Sequence, residues 1–252
     1  MDKTCYSILL GPAARNQCSA LANAVLFLYN GLIQKTLEVI HMKVLALNGC
    51  GRKDWNTAKM LQAALDGACS VGGEGKLVQL FDLDFHGCRG CAACKRLGGK
   101  FYGACAQQDG LTPVLEEAKA ADVLLLGSPI YFSDVTGATR DFIERFLFPT
   151  LTYSKDRHLC YKKKVKVGLI YTYNAPAEMY TQYMEGQKAM FTGLIGPTEY
   201  AFAAETLQFT DYSKYDADMF DPEQRKTRHE TVFPEDCKKA WEMGKRLAEM
   251  EI

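Results

Sequence analysis

The chain has no excess of charge of either sign: 30 lysines and arginines stand against 30 aspartates and glutamates in 252 residues. Nucleic acids and anionic membranes are bound through clustered cations, so this balance argues against either as the partner. It also lacks a run of the roughly 20 apolar residues that a membrane span needs. The most apolar stretch, Ala20 to Ile40, is interrupted by Asn23, Asn30, Gly31, Gln34, Lys35 and Glu38. Asp2 and Lys3 cancel, which deprives a secretory signal of its basic start. Internal repeats and low-complexity tracts are absent. So are the two commonest nucleotide loops. No G-x-x-x-x-G-K-[ST] occurs, and Asn48-Gly49-Cys50-Gly51-Arg52 continues into Lys53 and Asp54 rather than a further glycine. Histidines number only 4, and His86, His41, His158 and His229 have no evident chemical partner in the sequence.

What is present begins with Met42 to Thr57. Val44, Leu45, Ala46 and Leu47 form a short apolar run that breaks at a glycine-rich turn, and Ala58 to Ala68 has the periodicity of an amphipathic helix. A strand that feeds a polar loop at a helix N-terminus is an anion site, because unpaired N–H groups and the positive end of the helix dipole converge there. With the nucleotide loops excluded, a small phosphate monoester is the candidate ligand. An ordinary strand-to-helix turn with a solvated Arg52-Lys53 pair is the alternative.

Further along, Lys76 to Phe81 alternates as a second strand. Leu111 to Ala120 reads as a helix with Pro113 in its first turn, capped by Asp109 or Thr112. Asp122 to Ser128 is a continuous apolar run of the kind a central parallel strand requires. Pro129, Ile130, Tyr131, Phe132 and Ser133 then leave the sheet, and Gly137 to Phe148 is helical, ending at Pro149. Val167 to Thr172 is a fourth strand that exits through Tyr173 and Asn174. Ala177 to Leu194 reads as a helix, Glu199 to Thr206 as a fifth strand and Pro234 to Met250 as a closing helix, with 207–233 a polar surface excursion. Strands alternating with helices imply α/β architecture, a doubly wound five-stranded parallel sheet with helices on both faces. In such sheets ligands bind beyond the carboxyl ends of the strands. The loops 48–57, 128–134 and 172–177 all leave carboxyl ends and should gather on one edge. Tyr131 and Phe132 offer flat apolar faces to a planar ring, and Thr172, Tyr173 and Asn174 offer polar groups to its edge.

Three of the 10 cysteines fall in Cys88-Arg-Gly-Cys91-Ala-Ala-Cys94, with Cys105 beyond. That spacing is more typical of metal or redox use in a reducing compartment than of disulfides, so a cytoplasmic setting is expected. Three thiols at this spacing plus a fourth can hold a [4Fe–4S] cluster. Free thiols and a Cys₄ zinc site are the other readings.

Taken together, the two loops resemble the flavodoxin-like NAD(P)H-dependent FMN reductase family, including its iron–sulfur flavoprotein branch. The family's phosphate loop, G-S-x-R-x-x-S-N-T, stands here as Gly49 to Thr57, with Cys50 in place of serine and Trp55 where serine is common. Its second hallmark stands as Ser128-Pro129-Ile130-Tyr131-Phe132, followed by Gly137, Arg140, Phe142, Glu144 and Arg145. The resemblance covers about residues 42–206 and implies a flavodoxin-like strand order 2-1-3-4-5. It also implies FMN, its phosphate held by Asn48, Cys50, Arg52, Trp55, Asn56 and Thr57. The ring would lie against Ser128, Pro129, Ile130, Tyr131 and Phe132, near Thr172, Tyr173 and Asn174. NAD(P)H would be the co-substrate, with electrons passing through FMN to a quinone, flavin, nitro or azo compound, or iron–sulfur acceptor. No side chain need act as acid or base for that transfer. The branch further implies Cys88, Cys91, Cys94 and Cys105 as possible cluster ligands, and the family a homodimer or homotetramer. A flavodoxin-like electron carrier and a cysteine-based redox sensor are the rival functions. Residues 42–252 are expected to be the FMN-binding domain. Residues 1–41 read as an amphipathic extension that packs on the domain or on a second subunit, unless Met42 is the natural start.

Overall fold

In the computed structural model, which describes residues 42–156, 158–160 and 163–252, the apolar runs become neighbouring strands of one sheet. The helix expected before Met42 lies outside the described residues. Strands β1 (Met42–Asn48), β2 (Gly73–Gln79), β3 (Val123–Tyr131), β5 (Lys166–Thr172) and β6 (Thr198–Ala203) run parallel in the order β2-β1-β3-β5-β6. β4 (Asp134–Val135) is a two-residue strand folded back on β3. Without it, the order is the flavodoxin-like 2-1-3-4-5. Helices α1 (Asn56–Cys69), α2 (Thr112–Ala120), α3 (Gly137–Thr150), α4 (Thr181–Leu194), α5 (Pro222–Thr231) and α6 (Phe233–Glu249) complete the chain.

Successive strand residues point to opposite faces. Leu45, Leu47, Leu124, Leu126 and Leu169 therefore pack with α2, α3 and α4, while Val44, Ala46, Val123, Leu125 and Ile170 pack with α1 and α6. Each buried leucine contributes about 1.5–3 kcal/mol. The α1–α6 contact is close because two glycines permit it. A Cβ on Gly67 would lie 2.0 Å from the Trp241 carbonyl oxygen, and one on Gly244 would lie 1.9 Å from that of Ala64.

The structure departs from the expected elements in several places: the second strand is Gly73–Gln79 instead of Lys76–Phe81, the fifth ends at Ala203 instead of Thr206, and a 3-10 turn at Ala177–Tyr180 precedes α4. β3 does not end at Ser128 but continues to Tyr131, because the turn through Phe132 and Ser133 returns the chain to pair Ile130 with Val135. α3 runs past Phe148 to Thr150 with Pro149 inside it, and the Phe148 and Leu151 carbonyls there accept from Lys95 Nζ. Residues 207–233 are not all irregular. Asp221 caps α5 through the amides of Glu223 (3.0 Å) and Gln224 (3.1 Å), with Pro222 at the first helical position.

Candidate cofactor site

Because β1, β3 and β5 are parallel neighbours, their exits at Asn48, Tyr131 and Thr172 share the carboxyl edge of the sheet. The first two exits are bonded together. Gly49 N–H donates to the Gly127 carbonyl (2.7 Å), and Thr136 Oγ1 donates to the Gly49 carbonyl (2.7 Å). Thr136 N–H in turn donates to Ser128 Oγ (3.0 Å). Gly49 has no room for a side chain, since its Cβ would meet Thr139 Oγ1 at 1.7 Å. Asn48 is fully buried and shapes the turn: its Oδ1 accepts from Cys50 N–H (3.1 Å), and its Nδ2 donates to Gln79 Oε1 (2.7 Å). Cys50 is buried beside it. The first and third loops meet where the hydroxyls of Thr57 and Thr172 share a 2.7 Å hydrogen bond.

α1 starts at Asn56 with no side-chain cap. The first turn of a helix has no intrahelical acceptors for its amides, so this one keeps N–H groups for an anion. Arg52, Trp55 and Asn56 stand around it, but their side-chain donors face residues 207–208. Arg52 donates to the Gln208 carbonyl (2.7 Å) and lies 5.1 Å over the Trp55 ring. Trp55 Nε1 and Asn56 Nδ2 both donate to the Leu207 carbonyl (3.1 and 2.9 Å). Leu207 and Gln208 were absent from the sequence-based set.

In the second loop Ser128, Pro129 and Ile130 are buried, whereas Tyr131 is 54 % and Phe132 103 % exposed. Phe132 and Ser133 have φ of 50° and 68°, the left-handed pair a two-residue hairpin turn demands. Asp134 anchors the hairpin by accepting from Tyr183 OH (2.6 Å), and burial together with this bond pushes the Tyr183 phenol far above its ordinary range. In the third loop Tyr173 turns into the core, with its hydroxyl donating to the Ala177 carbonyl (3.0 Å), and burial and Glu178 raise it to about 12. Asn174 Nδ2 donates to Gln208 Oε1 (2.9 Å). The Oδ1 atoms of Asn56 and Asn174 are buried without a hydrogen-bond partner. Unpaired buried acceptors are rare and call for a donor.

Cys88, Cys91, Cys94 and Cys105 line one small cavity with Arg145. Cys94 is buried and its thiol is pushed up by burial, with Cys88 and Cys91 adding and Lys95 opposing. Arg145 is 1 % exposed and ties this loop to α3, donating to Cys105 Sγ (3.3 Å), the His86 carbonyl (3.0 Å), the Gln107 carbonyl (3.3 Å) and the Asp109 carboxylate. Among the described residues no group of three or more histidines, cysteines, aspartates or glutamates is placed to hold a single metal ion. No helix among them is long and apolar enough to cross a membrane.

An iron–sulfur flavoprotein of Archaeoglobus fulgidus is 32 % identical over 128 residues, covering 51 % of this chain and 60 % of its own. One of Methanocaldococcus jannaschii is 32 % identical over 104 residues, covering 41 % and 51 %. The chain thus spans between half and three fifths of the length of these curated relatives. Among solved structures, an NAD(P)H:quinone oxidoreductase from Methanothermobacter marburgensis superposes with a TM-score of 0.56 at 12 % identity, covering 82 % of this chain and 99 % of the other. A Bacillus anthracis azoreductase gives 0.55 at 14 %, covering 81 % and 99 %. At such identities these two establish the shared fold. Residues 42–187 match the family described as NADPH-dependent FMN reductase, and the chain belongs to that family.

Proposed function

We propose that the chain is an FMN-dependent NAD(P)H oxidoreductase that delivers electrons to a small-molecule acceptor. The observation that carries this reading is the pair of buried, unpartnered amide oxygens on Asn56 and Asn174, one in the first loop and one in the third. A ligand bridging those loops must present donors, and FMN does so through its ribityl hydroxyls and ring N–H. The residues fit the rest of the group as well. The uncapped turn of α1 suits its phosphate, and the exposed Tyr131 and Phe132 suit a planar ring. Bound FMN supplies the electron transfer between nicotinamide and acceptor. The chain binds, orients and shields. Thr57 and Thr172 fix the distance between the loops, and the Thr136–Ser128 bond holds the hairpin base against the phosphate turn.

Among acceptors, a quinone and an azo compound are suggested by the names of the fold neighbours, and a free flavin, nitro compound or iron–sulfur centre by the family resemblance alone. Assembly into a homodimer or homotetramer belongs to the same proposal. For Cys88, Cys91, Cys94 and Cys105 we propose a [4Fe–4S] ligand set. What supports it is the cysteine spacing and the lining of one cavity by all four thiols; at about 20 Å³ that cavity is smaller than a cluster, so the loop must open to take one. Anaerobic purification with absorbance, iron and sulfide analysis tests both groups. FMN is expected near one per chain and iron near four. Protein that stays colourless and gains no flavin absorbance from added FMN refutes the flavin reading, and iron-free protein refutes the cluster. Stopped-flow mixing with NADH or NADPH should bleach bound flavin. Unchanged absorbance with both nicotinamides would favour an electron carrier instead.

A further inference from the structure

The family match ends at residue 187, yet Arg52, Trp55 and Asn56 of the phosphate loop each donate one side-chain hydrogen bond to residues far beyond it. Four consecutive residues, Glu205 to Gln208, cross the carboxyl edge and touch both the first and the third loops. Toward the third loop, Glu205 N–H donates to the Ala175 carbonyl (3.2 Å), Thr206 N–H to that of Tyr173 (3.1 Å), and Asn174 Nδ2 to Gln208 Oε1 (2.9 Å). Toward the first, the Leu207 and Gln208 carbonyls receive Arg52, Trp55 and Asn56. The segment is held from α5. Arg225, 8 % exposed, donates through one nitrogen to both the carbonyl and the carboxylate of Glu205 (3.1 Å each). Glu205 itself has φ of 47°, a conformation that side-chain-bearing residues rarely adopt and that persists only where surrounding contacts enforce it.

From this we infer that Glu205–Gln208 is a strap completing the cofactor site, and that Arg225 is the positioning residue that sets it. The inference rests on the flavin reading and specifies how the chain presents its asparagines. A carbonyl oxygen only accepts, so Leu207 obliges Asn56 to turn its NH₂ toward the strap and leaves its Oδ1 as the free acceptor. Asn174 likewise donates its NH₂ to Gln208 Oε1 and keeps its Oδ1 without a partner, although the side-chain amide of Gln208, with a donor as well as an acceptor, does not by itself impose that orientation. The strap therefore selects a ligand rich in hydroxyl and N–H donors. It also holds Arg52 and Trp55 as the wall of the phosphate turn. Arg225 touches no ligand and acts through Glu205.

The test uses flavin fluorescence titration of full-length protein with FMN and with riboflavin, which lacks the phosphate. Arg225→Met should weaken FMN and riboflavin each at least tenfold, since both carry the hydroxyls and ring N–H that meet the two asparagine oxygens, with the larger loss for FMN because the Arg52–Trp55 wall of the phosphate turn is released as well. Arg225→Lys, which keeps a charged donor, should recover part of that affinity. Should the methionine variant fail to fold, the lysine variant carries the test, read also by faster hydrogen exchange at the Glu205 and Thr206 amides. FMN affinity within twofold of wild type in a folded variant overturns the inference. So does riboflavin affinity left within twofold of wild type, or hydrogen exchange that quickens across the whole sheet and not at the Glu205 and Thr206 amides, the signature of general destabilisation. Wild-type protein that binds neither flavin defeats the parent reading and this one with it. Wild-type binding with indifferent Arg225 variants defeats this one alone.

Discussion

Arg145→Met tests how the loop carrying the cysteines is held to the rest of the fold. Arg145 is 1 % exposed, and methionine retains much of its apolar length, so the substitution removes bonds more than packing. Lost are the donations to Cys105, His86, Gln107 and Asp109. Removing one partner of a buried ion pair costs about 3–5 kcal/mol because the other charge is stranded. The Asp109 side chain is 20 % exposed and water can reach it, which places the loss near the lower end, at about 3 kcal/mol. At about 2–4 °C per kcal/mol for a body of this size, the melting temperature should fall by about 6–12 °C. Urea unfolding at pH 7 should show a lower midpoint at unchanged slope. The pH dependence gives a second check. Burial raises the Asp109 pKa, but hydrogen bonds from Arg145 and from the Leu111 amide outweigh it and hold the carboxyl below its ordinary range. A carboxylate depressed in the folded state contributes stability that is present above its unfolded pKa of about 3.9 and lost as pH falls through the folded value. Methionine removes the part of that contribution due to Arg145, while the Leu111 amide bond stays, so the gap between wild type and variant should begin to narrow below about pH 4. A midpoint shift equivalent to less than about 1 kcal/mol, or a gap that does not narrow in acid, would show that Arg145 is not the anchor.

Gly49→Ala places a Cβ 1.7 Å from Thr139 Oγ1 and 3.0 Å from the Gly127 carbonyl, so it should cost about 1–3 kcal/mol in thermal unfolding and weaken FMN at least tenfold in fluorescence titration. A variant with native flavin affinity would show that the Gly49–Thr139 contact does not set the site. Phe132→Gly should raise stability by about 0.5–1 kcal/mol, because relief of the left-handed strain outweighs the added chain entropy, while flavin binding weakens for want of the aromatic face. Lower stability in that variant would contradict the strain argument. Gly244→Ala drives a methyl to 1.9 Å from a backbone carbonyl that cannot step aside, and a loss of about 3 kcal/mol at unaltered FMN affinity is expected. Unchanged urea stability would mean that α6 slides on α1 at little cost.

The residues legible from sequence are those whose reason for being there is local. The run Val123–Leu126 reads as a central strand because it must be buried on both faces, and it is. Asn48, Gly49 and the uncapped start of α1 announce an anion turn within a dozen residues. Thr136, just before helical Gly137, carries an ordinary N-cap signal, and its hydroxyl accepts from Thr139 N–H. That it also joins the two loops through Gly49 could not be read without the register of β1 against β3. The α5 helix was missed although Asp221-Pro222-Glu223 is a cap followed by a proline at the first helical position, a start signal hidden in an otherwise polar stretch. The extension of β3 was missed for the opposite reason. Phe132 and Ser133 are poor residues for left-handed backbone, so local preference argued against the hairpin that tertiary contacts impose.

The same distinction separates what Arg52 and Asn56 were expected to do from what their surroundings permit. From sequence both are donors standing beside a phosphate turn, and pattern alone assigns them to the phosphate. Their donors meet carbonyls of Leu207 and Gln208, more than 150 residues away in the chain. What Asn56 keeps is the second hydrogen of its NH₂ and its Oδ1, and of the two Oδ1 is the acceptor buried without a partner. A phosphate at pH 7 offers oxygen lone pairs, so it is matched by the amides of the α1 turn and not by that oxygen. Asn56 Oδ1 is matched by a hydroxyl. On the proposed flavin reading Asn56 Oδ1 would serve the hydroxyl chain next to the phosphate, a distinction that the Asn-Thr pattern cannot carry and that turns on the Leu207 carbonyl.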